Sequence, residues 1–470
     1  MPNDLQVYLL DPQKYSPETI AVAFAKTSRS PESFSQIASE LNEAKSSEFN
    51  EKWVVGYGHS SVAEHAVVHI AVENISRLAT ECLESNRLAS YTEKSTRYQT
   101  WNADAFLVPV ELGDSPLRKT YTETINVLLE AYQRFIPQVC ESLKNENPRL
   151  ENESEQTHER RIRSMAIDVC RFLLPAAVLA NVGMTINARA LEHAVTKMLS
   201  HPLAEVREIG QRIKNCGIKE LPTLLKYAET DEYLKCSEEK FVLSSAIDEE
   251  NKGWCELVEY DTDAENRVLA ASLYHFNGIS YAQSMAWVKR AENAKKTELA
   301  RNLLQCEDRH FTPLRELEHA NFTFDITVDQ GAFYEVKRHR MMTLTPQPLT
   351  TNLGYANPLA IEKAGLKHDY EACMESVIKT YQQLYGVDHN VAAYVVPNAF
   401  NRRFLLTTNL RSLLHFIKLR SATNAHFSVR RLAQQMYAQI GNVMPVFAPF
   451  IFPSIQESVK SIEDNYFYQM

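Results

Sequence analysis

The cysteines of this chain lack the spacing of a metal site or of a disulfide framework. The sequence has eight cysteines in 470 residues, with no Cys-x-x-Cys pair and no regular interval between them. Zinc sites and the disulfides of small secreted domains both depend on cysteines at short, repeated spacings. We therefore expect no bound metal and no disulfide framework.

Long apolar segments are also lacking. No stretch approaches the run of about eighteen apolar residues that indicates a membrane-spanning helix. The first residues, MPNDLQVYLLDPQKYSPE, have neither the basic flank nor the apolar segment of a secretion signal. We expect a cytoplasmic protein that has no membrane partner.

An excess of positive charge is lacking as well, because 50 Lys and Arg stand against 59 Asp and Glu. This balance argues against a chain that coats nucleic acid, so we expect no nucleic-acid partner. The length and the 44% hydrophobic content are typical of a globular chain with two or three domains. One basic run, 337–340 (KRHR), stands out, and such a local cluster in an acidic protein suits a small phosphorylated ligand.

Several sequence elements occur twice in the same order. EHAVVHIAVENISR (64–77) corresponds to EHANFTFDITVDQG (318–331), RLASYTE (87–93) to RMMTLTP (340–346), and LLPAAVLANVGMTINARALEH (173–193) to VVPNAFNRRFLLTTNLRSLLH (395–415). More loosely, ETIAVAFAKTSRS near the start corresponds to 266–278. The repetition predicts two copies of one domain, residues 1–235 and 236–470. The polar, acidic stretch near 228–262 is the expected linker between them.

The residue pattern within each copy predicts a mixed fold. VVHIAVEN and NFTFDITV alternate apolar and polar residues and are rich in β-branched and aromatic side chains, as strands are. TNLRSLLHFIKLRSA has the spacing of an amphipathic helix, which places Asn409 and Arg420 on one side about three turns apart. We predict an α/β (α+β) fold of two tandem copies, each a mixed sheet with packed helices.

The short motifs follow the order seen in a known enzyme family. They approximate H-x-[ST]-x-x-E-H, a strand, S-R, R-H-R-x-x-S-x-N-E-x-S-x-R-Y, A-R-x-x-x-P and N-x-R-S-L-x-x-F-x-x-x-R. In this order the chain resembles two flavin-dependent thymidylate synthase domains (thymidylate-synthase-complementing-protein-like domains) in tandem, each incomplete. The resemblance implies an FAD enzyme that transfers and reduces a one-carbon unit from methylenetetrahydrofolate to dUMP, giving dTMP, with NADPH as reductant.

The first copy keeps the nucleotide loop of the family but not its basic triplet. The resemblance implies that the dUMP ligands of this copy are Glu93, Ser95, Thr96, Arg97 and Arg171. It implies flavin contacts at Ser61, Glu93, Asn187 and Arg189. Ser85 and Asn86 replace two residues of the triplet, and Met198 replaces the arginine that in the family helps to ionise N3 of the uracil.

The second copy shows the opposite pattern. The resemblance implies that Glu335, Arg338 and Arg420 bind dUMP, with Arg420 as the catalytic residue that stabilises the uracil anion. It implies FAD contacts at Thr312, Arg338, His339, Arg340, Asn409, Arg411 and His415. The loop residues are lost, with Pro346, Pro348 and Thr350 in the places of Glu, Ser and Arg, and Ala393 in that of the substrate arginine. Glu335 stands where the family prefers Gln.

The losses in the two copies are complementary. Family members are homotetramers with sites between subunits, so we expect one complete composite site, made from the loop of the first copy and the triplet of the second. We also expect a homodimer that forms a pseudo-tetramer. Whether one chain or two chains build the site is left open. Two alternatives remain: a related flavoenzyme for another pyrimidine nucleotide, favoured by Glu335 and Thr92, and a non-catalytic flavin- or nucleotide-binding paralogue.

Overall fold

The protein, described as a computed structural model for residues 6–28, 30–97, 99–241, 253–305 and 311–468, folds into two compact units. The first unit contains Met1–Ser95, Ala105–Arg118 and Ala177–Ile247. The second contains Thr96–Asp104, Lys119–Ala176 and Asp248–Met470. Two segments from the first half of the chain therefore belong to the second unit. The boundary between 235 and 236 stays a prediction.

Helices in the first half of the chain commonly begin at a hydroxyl or amide side chain that caps the first turn, as Ser16, Ser76 and Asn187 do. A π-helix, Asn50–Gly56, precedes the short 3-10 helix Ser60–His65. Between residues 6 and 241 the α-helices are α1 (Pro17–Thr27), α2 (Phe34–Glu40), α3 (Glu43–Phe49), α4 (Arg77–Leu83), α5 (Pro116–Glu146), α6 (Glu155–Cys170), α7 (Ala188–Leu199), α8 (Ala204–Gly217), α9 (Glu232–Lys235) and α10 (Ser237–Lys240).

The second half of the chain continues the mixed pattern. Its described α-helices are α11 (Ala264–Asn277), α12 (Tyr281–Arg290), α13 (Asn293–Leu304), α14 (Gln330–Val336), α15 (Leu359–Lys363), α16 (Lys367–Tyr385), α17 (His389–Ala392), α18 (Leu410–Arg420), α19 (Phe427–Val443) and α20 (Val459–Tyr466). The amphipathic helix predicted from TNLRSLLHFIKLRSA is confirmed as α18, which Asn409 caps through the Ser412 amide.

In the described part of the chain each unit contains one antiparallel sheet, and three strands of each sheet follow the same order. The first sheet has the order β1 (Val67–Ser76), β3 (Leu179–Asn187), β2 (Ala89–Glu93). The second has the order β4 (Cys255–Tyr260), β5 (Asn321–Asp329), β7 (Asn401–Asn409), β6 (Thr343–Pro346). Val67 lies opposite Asn187, and Asn321 lies opposite Asn409, so the repeated segments pair in the same register. The predicted tandem fold is confirmed.

The prediction of a linker near 228–262 is partly wrong, because residues near its end form the edge strand β4, which pairs with β5. Cys255 is buried in the core there, and Leu257 packs beside it. The acidic residues Glu256 and Glu259 lie beside these apolar ones, so the charge content concealed the strand. Residues 242–252 of the expected linker lie outside the described residues.

The core of the second unit fixes the two helices that carry the candidate site. Phe322 and Phe324 of β5 and Phe404 of β7 are buried with apolar residues of α18 and α19. Helix α14 follows β5 directly, and α18 follows β7. Because β5 and β7 are antiparallel, α14 and α18 begin at opposite ends of the sheet. Arg420, the last residue of α18, contacts Glu335 near the end of α14.

Candidate functional site

A cavity of about 1350 Å³ lies in the second unit. Its walls contain every flavin-contact residue predicted for the second copy, together with the predicted catalytic arginine: Thr312, Arg338, His339, Arg340, Asn409, Arg411, His415 and Arg420. The volume is above the usual range of roughly 300–1,000 Å³ for small-ligand pockets. The structure therefore brings these sequence-predicted positions together around one large cavity.

Arg411 and Glu318 line the cavity and form a hydrogen-bonded ion pair. Nη1 of Arg411 donates to Oε1 of Glu318 at 2.8 Å, and Nε donates to the carbonyl of Pro313 at 3.0 Å. Arg315 also pairs with Glu318, and these guanidinium groups hold the pKa of that carboxyl below its ordinary value, with the Arg315 hydrogen bond the largest cause. The first unit has the corresponding pair between Arg189 and Glu64.

Arg420 and His339 form a fixed pair at the cavity wall. Nε of Arg420 donates to Nε2 of His339 at 3.0 Å, so this imidazole nitrogen is an acceptor and the ring is neutral. Burial, together with the charge of Arg420, lowers the pKa of His339 to about 3. The ring packs edge-on against Phe416, with centroids 4.9 Å apart. Because it is neutral, His339 orients the Arg420 guanidinium without placing a second positive charge beside it.

Glu335 of α14 bridges two arginines that come from distant parts of the sequence. Its Oε1 accepts a hydrogen bond from Nη2 of Arg171 at 3.1 Å, and its Oε2 accepts one from Nη1 of Arg420 at 3.0 Å. Its backbone carbonyl accepts a further one from Arg420 at 3.1 Å. Burial alone would raise the pKa of Glu335, but Arg171, Arg420 and Arg97 outweigh burial and hold that pKa below its ordinary value.

Arg97 and Arg171 come from the first half of the chain, yet both belong to the second unit. Arg97 makes a two-pronged bond with Asp168 of α6 at 2.7 and 2.6 Å, and it donates to the carbonyl of Asn424 at 2.6 Å. Arg171 is only 3% exposed, and its Nε has no hydrogen-bond partner among the residues that the structure describes. A buried N–H without a partner costs free energy, so a water or ligand oxygen at this position would stabilise it.

The remaining predicted residues of the first copy lie in the first unit, apart from Thr96, which is buried in the second. The Glu93 side chain is buried, and its Oε1 lies 3.4 Å from Nη1 of Arg77. Asn187 caps α7 by accepting from the Ala190 amide at 2.9 Å. Ser61 lines a cavity of about 630 Å³. Ser95 is half-buried and is the last residue of the first segment of this unit. The ligand roles of these residues stay predictions.

The positions that the first copy has lost are now used for packing within that unit. Met198, at the place of the catalytic arginine, is fully buried. Its neighbour Lys197 donates from Nζ to Oδ1 of Asn86 at 3.0 Å and also to Ser85. Burial lowers the pKa of Lys197. A core side chain thus stands at the lost arginine position, and the two altered triplet positions bind Lys197 of the same unit.

Sequence reasoning missed Asp168, the acceptor that holds Arg97. Asp168 positions Arg97, and its backbone carbonyl meets Nε2 of the buried His426 at 3.0 Å. Asp168 lies near the end of α6, which is followed directly by Arg171, but no motif connects it with Arg97, seventy-one positions away. Only the fold supplies that pairing.

Three further properties concern only the described ranges. No three His, Cys, Asp or Glu side chains there come together as metal ligands. The seven cysteines that the structure describes have free thiols. Between residues 6 and 468, leaving out the undescribed gaps, no helix has the length and apolar content needed to cross a bilayer.

Comparison with known proteins places the chain in a family. The family model described as thymidylate synthase complementing protein matches residues 9–223 and 256–446. The chain belongs to the thymidylate synthase complementing protein family and contains two copies of its domain. The matches leave out most of the predicted linker, and the second match begins within β4.

Curated relatives fall into two groups by length. A UPF0159 protein of Chlamydia muridarum is 30% identical over 434 residues, 88% of this chain and 82% of the relative. A UPF0159 protein of Thermoplasma acidophilum is 27% identical over 450 residues, 88% of this chain and 89% of the relative. A flavin-dependent thymidylate synthase of Clostridium tetani is 26% identical over 215 residues, 45% of this chain and 82% of the relative. The chain thus resembles the UPF0159 proteins over most of its length and the flavin-dependent thymidylate synthase over about half of it.

Solved structures also show similarity over one half of the chain. The Helicobacter pylori flavin-dependent thymidylate synthase complexed with FAD and dUMP is 18% identical, covers 43% of this chain and 100% of its own, and has a TM-score of 0.32. The UMP/dUMP methylase PolB of Streptomyces cacaoi, bound with 5-Br dUMP, is 19% identical, covers 42% and 93%, and has a TM-score of 0.34.

Proposed function

We propose that this protein is a cytoplasmic, FAD-dependent thymidylate synthase that methylates dUMP to dTMP, with methylenetetrahydrofolate and NADPH as co-substrates. One observation carries the proposal. Arg97 and Arg171 of the first half of the chain lie in the same compact unit as Glu335 and Arg420 of the second half, and Glu335 bonds both Arg171 and Arg420. The complementary losses seen in the sequence therefore leave one cluster with all of its arginines.

The residues around the large cavity fit FAD. Arg338, Arg340 and Lys418 supply cationic donors for its phosphates, and Leu419, Phe450 and Phe452 supply apolar surface for a ring system. When bound, the flavin would supply the redox and one-carbon carrier chemistry of the reaction. The chain's own residues bind and orient the flavin, with Asn409 and Arg411 fixed by the α18 cap and by Glu318.

Arg420 is the proposed catalytic residue, because it combines charge, burial and fixed orientation. Its guanidinium contacts the Glu335 carboxylate and the neutral His339, so it is held in place before the substrate binds. Donors fixed in advance stabilise a developing anion, here the uracil ring ionised at N3, without reorganisation during the reaction. Arg97 and Arg171 are the proposed ligands of the 5′-phosphate. The Nε of Arg171, which has no hydrogen-bond partner in the described part of the chain, supports its role.

We further propose that one chain supplies both halves of its site and that two chains assemble as a homodimer. Four domain copies, at 1–235 and 236–470 of each chain, would then form a pseudo-tetramer with closed symmetry.

The second candidate function is the same chemistry on another pyrimidine nucleotide. The observation that favours it is the ionised Glu335 between Arg171 and Arg420.

Complementation of a thymidine-requiring strain tests the proposed function. The full-length chain should restore growth without thymidine, and the purified protein should show a flavin absorption spectrum. Arg420→Ala should not restore growth, whereas Arg212→Ala, an exposed arginine of α8, should. A flavin-bound protein that fails to complement would support the second candidate. A protein that binds no flavin at saturating FAD would contradict both.

A further inference from the structure

The carboxylate of Glu335 lies where an anionic ligand group would be expected. Nη2 of Arg171 and Nη1 of Arg420 donate to its two oxygens at 3.1 and 3.0 Å. Arg97 lies close enough to contribute to the lowered pKa of Glu335. The Glu335 side chain is only 7% exposed. Proteins use several guanidinium groups around one centre to bind phosphate or carboxylate ligands, and here a side chain of the protein takes that position.

Carboxylates therefore already compensate the arginines of the proposed nucleotide site. Asp168 binds Arg97 through both of its oxygens, and Glu335 binds Arg171 and Arg420. A phosphate monoester carries a charge of about −1.5 to −2 at neutral pH. Such a group would have to approach an existing anion in a partly buried site, where like charges repel far more than in water.

We propose that Glu335 is a specificity-determining residue whose carboxylate competes with the 5′-phosphate of a pyrimidine nucleotide for Arg171. The site as it stands then favours pyrimidine ligands that carry less negative charge than a phosphate dianion: nucleosides, and nucleotides whose phosphate is a singly charged ester. A dianionic nucleotide binds only when the carboxylate releases Arg171. This inference rests on the proposed function, because that function places a nucleotide in this cluster.

A two-by-two binding experiment isolates the competition. Dissociation constants for dUMP and for deoxyuridine, which lacks the phosphate, are measured by calorimetry on the full-length protein at saturating FAD, unaltered and as Glu335→Gln. The glutamine keeps the shape and one acceptor oxygen but removes the charge. We expect dUMP to bind about tenfold or more tightly to Glu335→Gln, while deoxyuridine affinity changes less than about twofold.

Asp325→Asn is the matched control, because it also removes one carboxylate paired with an arginine of this unit, Arg403 on β7. Asp325 lies outside the cluster, so the ratio of the dUMP and deoxyuridine affinities should not change in this variant. A second comparison needs no variant: the methyl ester of dUMP, with a singly charged phosphate, should bind the unaltered protein at least as tightly as dUMP.

Three outcomes would overturn the inference. Glu335→Gln could weaken dUMP and deoxyuridine equally, which would make Glu335 a direct ligand of the sugar or base. The affinity ratio could stay the same in Glu335→Gln, or the methyl ester could bind much more weakly than dUMP. Failure of all these ligands to bind either protein would overturn the proposed function itself and is readily distinguished from the other outcomes.

Discussion

Each arginine of the proposed nucleotide site is held by an acceptor of the chain. Asp168 holds Arg97, Glu335 holds Arg171, and Glu335 and His339 together hold Arg420. Fixing a long side chain before a ligand binds lowers the entropy cost of binding. The acceptors therefore matter as much for the site as the arginines that the sequence pattern identifies.

At this scale the two halves of the site should fail in different ways. Arg97→Ala should mainly weaken dUMP binding, because a phosphate contact is present in both the ground and the transition state. Arg420→Ala should mainly lower kcat, because the uracil anion develops during the reaction. Each loss should be roughly 2 to 4 kcal/mol. Steady-state kcat and KM for dUMP measure the difference, and an identical effect of both changes would contradict the assigned roles.

His339 predicts a pH dependence of stability. Its pKa is about 3 in the folded protein, against an ordinary value of 6.5. Below the ordinary value the unfolded chain binds a proton that the folded chain does not, so stability is lost as pH falls from about 6.5 towards 3. His339→Gln should reduce the fall in unfolding free energy between pH 7 and 5 by up to about 2 kcal/mol.

Urea unfolding at the two pH values measures this prediction. The control is His368→Gln, since His368 is exposed on α16. The control should show the same fall in unfolding free energy as the unaltered protein. An unchanged fall in His339→Gln would mean that the folded protein does not exclude the proton from this ring.

Among the elements, helices α7 and α8 of the first unit show how closely the altered copy is packed. A Cβ atom added at Gly210 would lie 2.8 Å from the Cβ of Met198, the residue at the lost arginine position. Gly210→Ala should therefore lower the free energy of unfolding by about 1 to 3 kcal/mol.

Gly441 of α19 is the matched comparison, because an added Cβ atom would meet nothing closer than the Ala448 Cβ at 4.0 Å. Gly441→Ala should leave the free energy of unfolding unchanged or raise it by up to about 1 kcal/mol, the difference in helix propensity. Thermal or urea unfolding separates the two variants. Equal effects would show that α7 and α8 have room that the structure does not show.

Elements with a clear period were predictable from the sequence, and those disguised by charge were not. The alternation in β1 and β5 and the amphipathic spacing in α18 were sufficient to predict them. Strand β4 was missed because its polar positions are acidic and its buried positions few. The cavity residues were found through motifs, whereas Asp168 was missed, since its contact with Arg97 depends on how distant segments fold together.

At the scale of the whole molecule, one equipped site predicts one flavin per chain. The basic triplet and the helical arginine line the cavity only in the second copy, whereas the first copy has Met198 buried at the arginine position. Titration to saturation, read by flavin absorbance against protein mass, should give about one FAD per chain. Two tight, equivalent FAD per chain would contradict the complementary-loss argument.

The central claim is that one chain contains a whole site, and mixing two inactive variants tests it most directly. Arg97→Ala and Arg420→Ala chains are produced together so that mixed dimers form. If each site comes from a single chain, every site carries one lesion, and thymidylate synthase activity should not exceed that of the two variants measured separately. If sites were shared between chains, each mixed dimer would hold one intact site, and recovery of about a quarter of the unaltered activity would contradict the claim.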